Sequence, residues 1–364
     1  MTQSRNEIAA QFQIEEGERS IVRFGDGHIN ETYLVTLEGV PRRYILQKLS
    51  AVVFPEPEKV IENIERVTRF LREKIVKAGG DPDRETLQLI PTRAGAPFVR
   101  DADGAVWRMY LYIEQTVSKN LPDTPELFAL SGKAFGKFQR QLSDFPARDL
   151  HEVIPHFHDT PSRFARLLEA IRKDPLGRAA QVQKEIDFCL AREQDTRALL
   201  DLVDRGEIPL RVTHNDTKLN NVLLDAHTGE GVCVIDLDTV MPGLAAYDFG
   251  DSIRFGANTA LEDEQDLSRV SLSLPMFQAF AEGFLSEAGS TLLPREIETL
   301  PLGAKLMTLE CGMRFLTDHL EGDRYFRIHR QNHNLDRART QFALVADMET
   351  KWGEMQAIAE RAAR

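Results

Sequence analysis

Cysteine is scarce. The 364 residues hold three, Cys189, Cys233 and Cys311, widely spaced and never arranged as Cys-x-x-Cys, which argues against a disulfide framework or a thiolate zinc site. No apolar run approaches the ~18 residues of a membrane span, and the segment from Met1 to Glu7 has no apolar signal core, so a cytoplasmic protein without a membrane partner is expected. Positive charge is in deficit: 45 Lys and Arg against 57 Asp and Glu give a formal net charge of −12. Binding to nucleic acid or an anionic surface would favour a basic patch, so neither is expected as a partner. Internal repeats and low-complexity tracts are also missing, and nothing specifies an oligomeric state. The remaining composition, 42% hydrophobic and 28% charged, is that of an ordinary globular protein. The length exceeds one core of common size, so two lobes are expected.

The densest chemical pattern lies between residues 212 and 238. An apolar segment delivers His214, Asn215 and Asp216 to a loop, and Lys218 and Asn221 follow. After Val222-Leu223-Leu224 and a polar turn, a second apolar run, Val232 to Ile235, leads to Asp236 and Asp238. His-x-Asp-x-x-x-x-Asn followed by a strand ending in Asp is the arrangement that protein-kinase-like phosphotransferases present. Phosphoryl transfer needs a hydroxyl held in line with a γ-phosphorus and Mg²⁺ held on the phosphate oxygens. Mg²⁺ prefers oxygen ligands and keeps several waters, so one carboxylate and one amide oxygen suffice. This assigns Asp216 as base, Lys218 as a catalytic cation for the moving phosphoryl group, and Asn221 and Asp236 as metal ligands. If the strand continues, Asp238 shares the face of Asp236 and is a further metal candidate. Asp248-Phe249-Gly250 is literal kinase spelling, but no apolar strand precedes it. Asp248 is therefore expected to brace the loop from behind.

Upstream, Gly25-Asp26-Gly27-His28-Ile29-Asn30 lies between β-type segments. Glycines there let backbone amides approach phosphate oxygens, which makes Gly25, Gly27 and Asn30 nucleotide-binding candidates, although a plain hairpin turn would read the same. Arg42 to Leu49 reads as a strand with Lys48 near its end, where such enzymes keep the lysine that pairs the α- and β-phosphates. Ile61, Ile64, Val67, Leu71 and Ile75 form one apolar stripe of a helix that begins near Pro55 and Pro57 and stops at Gly79-Gly80. Glu62 or Glu65 on that helix is placed to ion-pair Lys48. Strands are expected at 86–90 and 106–113, joined through the Asp101 to Gly104 turn, with an adenine-binding hinge at 113–120. Helices are expected over 124–143, 162–173, 179–204, 264–288, 295–320 and 336–361. Two loops rich in His, Asp, Arg and aromatic residues, 154–161 and 321–327, suit a polyhydroxylated acceptor.

The order of these features resembles the aminoglycoside-phosphotransferase and choline-kinase branch of the kinase-like fold across nearly the whole chain. More narrowly, Gly27-His28-Ile29-Asn30, Ile45-Leu46-Gln47-Lys48, and the run from Ile235 through Pro242-Gly243 to Gly256 resemble the N-acetylhexosamine 1-kinase group. The fold implied is α+β and protein-kinase-like. Residues 1–115 would form a small antiparallel-sheet lobe with one helix that binds ATP, and residues 116–364 a larger, mainly helical catalytic and acceptor-binding lobe. The activity implied is ATP- and Mg²⁺-dependent phosphorylation of the anomeric hydroxyl of N-acetylglucosamine or N-acetylgalactosamine. The same resemblance suggests His28, Arg314 and Tyr325 as contacts to the sugar or its new phosphate. An amino alcohol, aminoglycoside or hydroxy amino acid acceptor, and a non-catalytic nucleotide-binding protein, are the alternatives.

Overall fold

The computed structural model describes residues 3–25 and 29–364; the roles expected of Gly27 and His28 lie outside the described residues. The chain forms two compact units that interleave in sequence. One gathers residues 1–118, 144–155 and 221–242, and the other residues 119–143, 156–220 and 243–364. The sequence suggested a single division near residue 115.

In the first unit, β1 (Arg19–Arg23), β2 (Glu31–Leu37), β3 (Val40–Lys48), β4 (Val99–Arg100) and β5 (Val106–Leu111) make an antiparallel sheet ordered β1-β2-β3-β5-β4. Alternation sets its inner face: Tyr33, Val35 and Leu37 of β2 and Tyr44 and Leu46 of β3 are buried with Phe12, Trp107 and Met109. The β3–β5 register pairs Lys48 with Trp107 and Gln47 with Arg108. Helix Pro57–Lys77 opens on its proline and buries the predicted stripe from Ile61 to Ile75; each such side chain contributes about 2 kcal/mol on leaving water. A second sheet, ordered Thr116–Val117, Val222–Asp225, Gly231–Val234, completes the unit.

Residues 86–90 do not form the expected strand; they keep one isolated bridge, Leu89 to Tyr110. The partner of β5 at the Asp101 turn is instead β4, because Asp101 Oδ1 accepts the amides of Asp103 and Ala105 and reverses the chain at once.

The second unit is mainly helical, so the expected α+β, kinase-like organisation holds. The 179–204 helix is broken into short pieces, Ala179–Val182, Gln183–Leu190, Glu193–Arg197 and Ala198–Asp204; Arg192, in the gap after Leu190, forks onto Glu349 at 3.0 and 2.6 Å. The helix expected from 264 starts at Leu274, where Ser273 caps the amide of Met276. The 295–320 helix divides into Pro294–Glu298 and Leu300–Glu321, and the last into His333–Thr350 and Trp352–Ala362. Helices Ala245–Gly256 and Leu300–Glu321 meet backbone to backbone: a Cβ on Gly250 would overlap the Gly303 carbonyl, and one on Gly303 the Ala246 carbonyl. That crossing matters because Ala245–Gly256 carries the residues that hold the 214–217 loop.

Candidate active site

In the first unit, the ribbon Val222–Asp225 and Gly231–Val234 pairs Val222 with Val234, and the Ile235 amide donates to the Asn221 carbonyl at 2.9 Å. Antiparallel pairing therefore brings Asn221 and Asp236 to the same end of the ribbon. Asp236 is exposed and left-handed (φ 58, ψ 55), a conformation that Asp tolerates better than most residues and that recurs at functional turns. The backbone then winds into a 3₁₀ turn, Leu237–Thr239, and this corrects the expectation for Asp238. Its carboxylate is not on the strand face beside Asp236; it is 3% exposed and turned inward. Asp238 Oδ2 accepts Asn30 Nδ2 at 2.6 Å, and Oδ1 meets Arg108 Nη1 at 2.5 Å, an ionic contact not aligned as a hydrogen bond. Both Asp238 oxygens are thus engaged by protein groups.

Asn30 is likewise occupied, since its Oδ1 accepts the Ser50 amide at 3.0 Å. Gly25 takes φ 73 with open space where a Cβ would stand, as a backbone-lined loop requires. Lys48 is half-buried at the end of β3, with Nζ 5.6 Å from the Trp107 ring centroid. The expected Lys48 ion pair with the helix is not formed. Glu62 binds His151 Nε2 at 2.7 Å and also Arg66, one turn along its own helix, and Glu65 is exposed. The His151 hydrogen bond first, with Arg66, holds the Glu62 carboxyl below the usual range.

In the second unit, a short strand, Arg211–Thr213, leads to His214, which is fully buried and edge-on to Phe135 and Phe138. Asp248 accepts the amides of His214 (3.0 Å) and Asn215 (2.8 Å) and Gln139 Nε2 (2.6 Å), which places it behind the loop, as the sequence suggested. Asp251 accepts the Thr217 amide at 3.1 Å, and Ser252 donates to the Thr217 carbonyl at 2.6 Å. Fixed from behind, the loop leaves Asp216 beside Lys218, Oδ1 to Nζ 2.7 Å, each about 30% exposed at 30% and 31%. Burial pushes the Asp216 carboxyl up, but the Lys218 ammonium, with His214 and Arg254, holds it below the usual range. Asp216 is therefore an anion at neutral pH.

The same unit brings Arg314 and Tyr325 together. The Arg314 guanidinium lies 5.8, 5.9 and 5.4 Å from the ring centroids of Phe157, Tyr325 and Phe326, and makes no ion pair with a described residue. Tyr325 is 64% exposed. Its backbone is fixed by Asp318, whose carboxylate accepts the successive amides of Arg324, Tyr325 and Phe326 at 2.9, 2.8 and 2.9 Å. Beside Arg314 on Leu300–Glu321, buried Glu310 accepts Thr160 Oγ1 at 2.7 Å and meets His158 Nδ1 at 3.0 Å, while His158 Nε2 lies 3.2 Å from the Asn215 carbonyl. Burial works against the imidazolium, but the Glu310 carboxylate holds the His158 pKa above its ordinary value. Sequence reasoning noted the 154–161 loop without singling out His158, and missed Glu310, Asp251 and Arg108. Arg108 alone left a signal, a charge in the middle of the apolar run Val106-Trp107-Arg108-Met109-Tyr110-Leu111.

Residues 20–281 match the model of the phosphotransferase enzyme family named for APH. The chain belongs to this family. Among solved structures, this phosphotransferase is similar to an aminoglycoside phosphotransferase from Alicyclobacillus acidocaldarius subsp. acidocaldarius DSM 446, with a TM-score of 0.63 and 14% identity over 99% of this chain and 97% of that one. It is also similar to a microcompartment-associated aminopropanol kinase (TM-score 0.58, 15% identity, 96% of each chain). A third likeness is to choline kinase from Cryptosporidium parvum Iowa II (TM-score 0.55, 14% identity, 95% of this chain and 93% of that one). No helix among the described residues is long and apolar enough to cross a membrane. No group of three or more His, Cys, Asp or Glu among the described residues is placed to hold a metal. The donor set of one amide, Asn221, and one carboxylate, Asp236, fits Mg²⁺ that arrives on a nucleotide and keeps phosphate and water ligands.

Proposed function

We propose that this phosphotransferase carries the γ-phosphoryl group of ATP to the anomeric hydroxyl of an N-acetylhexosamine, giving the 1-phosphate and ADP. The observation that carries the reading is Asp216, an ionised and partly exposed carboxylate on a loop fixed through its backbone. Asp216 accepts the hydroxyl proton as the new oxygen–phosphorus bond forms and the bond to the β-phosphate oxygen breaks. An anomeric hydroxyl is more acidic than an ordinary alcohol, so modest base assistance suffices and positioning supplies most of the rate. Lys218 balances charge on Asp216 and on the moving phosphoryl group. Asn221 and Asp236 would hold Mg²⁺, which when bound neutralises charge on the phosphate oxygens. Gly25 and Lys48 belong to the nucleotide side, as Gly27 does by its sequence.

The acceptor class rests on charge. Glu310 and Asp318 are both buried and bonded to internal partners, whereas Arg314 sits among aromatic rings with an exposed tyrosine beside it. A neutral polyhydroxylated acceptor, stacked on rings and hydrogen-bonded by a guanidinium, fits this set better than a cation does. A second reading, an amino alcohol or aminoglycoside acceptor, is favoured by the names of the similar solved structures. The test is ATP consumption with N-acetylhexosamines, hexoses, amino alcohols and aminoglycosides, with the phosphate position in the product determined by NMR. A 1-phosphate of an N-acetylhexosamine is expected; turnover confined to cationic acceptors would replace this reading with the second.

A further inference from the structure

Arg108 is the largest side chain buried almost completely, 1% exposed, and it is charged. Its Nε and Nη2 both donate to Gln47 Oε1, at 3.0 and 2.8 Å, and its Nη1 meets Asp238. Asp238 holds Asn30, and Asn30 holds the Ser50 amide. One buried polar chain thus joins β5, β3, the segment entering β2 and the turn after Asp236. Stability alone is a poor reason for it, since a well-packed apolar replacement of a buried ion pair is commonly neutral or stabilising. Its contacts have a common address: Gln47 precedes Lys48, Asn30 closes the glycine-containing loop, and Asp238 lies two residues beyond Asp236. The planar guanidinium fork can bind one strand and the turn at once, which a lysine cannot do with the same geometry.

We propose that Arg108, Asp238 and Asn30 form a clasp that sets the left-handed Asp236 turn against the start of β2 and the Lys48 end of β3, acting as positioning residues that do not themselves touch metal or nucleotide. The inference rests on the reading of Asp236 as a Mg²⁺ ligand. It reassigns Asn30 and Asp238 from ligands to supports, and adds Arg108, for which the sequence suggested no role. Sites of this kind tolerate displacements of only about 0.5 Å, so loosening the clasp should weaken metal-dependent nucleotide binding before it affects anything else.

The experiment uses the full chain and four variants: Asn30→Ala, Arg108→Lys, the paired replacement Arg108→Met with Asp238→Leu, and Asp236→Ala. Calorimetry measures the Kd of a non-hydrolysable ATP analogue with and without Mg²⁺, a thermal melt reports folding, and steady-state rates give kcat and the acceptor KM. The apolar pair keeps the core filled, so it guards against simple unfolding. Asn30→Ala is expected to melt below wild type yet remain folded at the assay temperature, and the apolar pair to melt nearer to it; both should bind the Mg²⁺-loaded analogue about tenfold more weakly and keep the metal-free Kd and the acceptor KM within about twofold, and Arg108→Lys should fall between them and wild type in binding. Wild-type binding of the Mg²⁺-loaded analogue by folded Asn30→Ala and the apolar pair overturns the clasp, while loss of Mg²⁺ dependence in Asp236→Ala leaves the metal reading standing. Unchanged Mg²⁺ dependence in Asp236→Ala removes the metal reading and the clasp together.

Discussion

The 214–218 loop and the 236–238 turn each present an acidic residue, yet they are held by opposite means. The loop is anchored through its backbone: Asp248 and Asp251, from a helix further along the chain, accept the amides of His214, Asn215 and Thr217. The turn is anchored through its own side chain, with Asp238 reaching inward to Arg108 and Asn30. In both places the partly or fully exposed carboxylate, Asp216 or Asp236, is proposed for chemistry, and the buried carboxylates do the holding. Burial separates the two roles where residue type does not, because a buried carboxylate must find internal partners whereas an exposed one stays open to a ligand.

Four substitutions test this contrast. The largest effect is expected at Asp216. Asp216→Asn keeps the shape and loses the base, so kcat in an ADP-release assay should fall about 10³-fold with the melting temperature and nucleotide Kd close to wild type. Turnover within tenfold of wild type would remove Asp216 from catalysis. Next is Asp248→Ala, which leaves two buried amides and Gln139 without their acceptor and should cost about 3 kcal/mol of stability in chemical denaturation. A variant that melted like wild type would show that the loop stands without its brace.

The third effect depends on pH. The pKa of His158 is raised by Glu310, so this pair's contribution is complete below the ordinary histidine value of 6.5 and is lost as pH rises through the higher folded value. Glu310 is lowered, so its own part disappears only as pH falls beneath the ordinary carboxylate range. His158→Gln should remove about 2 kcal/mol near pH 6 and flatten stability across the neutral to mildly alkaline range. An unchanged slope there would show that His158 is not the group responsible. The smallest effect is expected at Glu62. Its carboxylate is 44% exposed and tied to His151 and Arg66, so Glu62→Ala should cost under about 1 kcal/mol and change the KM for ATP less than about twofold. A tenfold change would restore the discarded pairing with Lys48.

Much of this was legible in the sequence, where local pattern and final geometry agree. Alternation in β2 and β3, the stripe from Ile61 to Ile75, and the spacing that puts Asn221 and Asp236 at one end of a ribbon are all set within short stretches. The errors share a cause. Asp238 was placed by extending a strand that the left-handed Asp236 ends, and no residue type announces that bend, since Asp serves equally in strands' ends and turns. Glu62 was assigned by fold analogy, but Arg66 one turn away and His151 from a distant segment take its carboxylate. Residues 86–90 have strand-like composition, but only Gln88 to Ile90 reach β5, through two backbone hydrogen bonds at Met109 and Leu111, while β4 pairs further along at Val106 and Trp107. Arg108, Asp251 and Glu310 act through contacts far apart in sequence, which no local pattern encodes.

Asp318 gives the region around Tyr325 an unusual character for an exposed loop. A surface ring on mobile backbone would have to be immobilised by whatever lands on it, at an entropic cost of about 1 kcal/mol or more for each residue ordered. Here three consecutive peptide groups are already gathered on one internal anion, so an incoming molecule meets a rigid wall, and its affinity need not be discounted for building one.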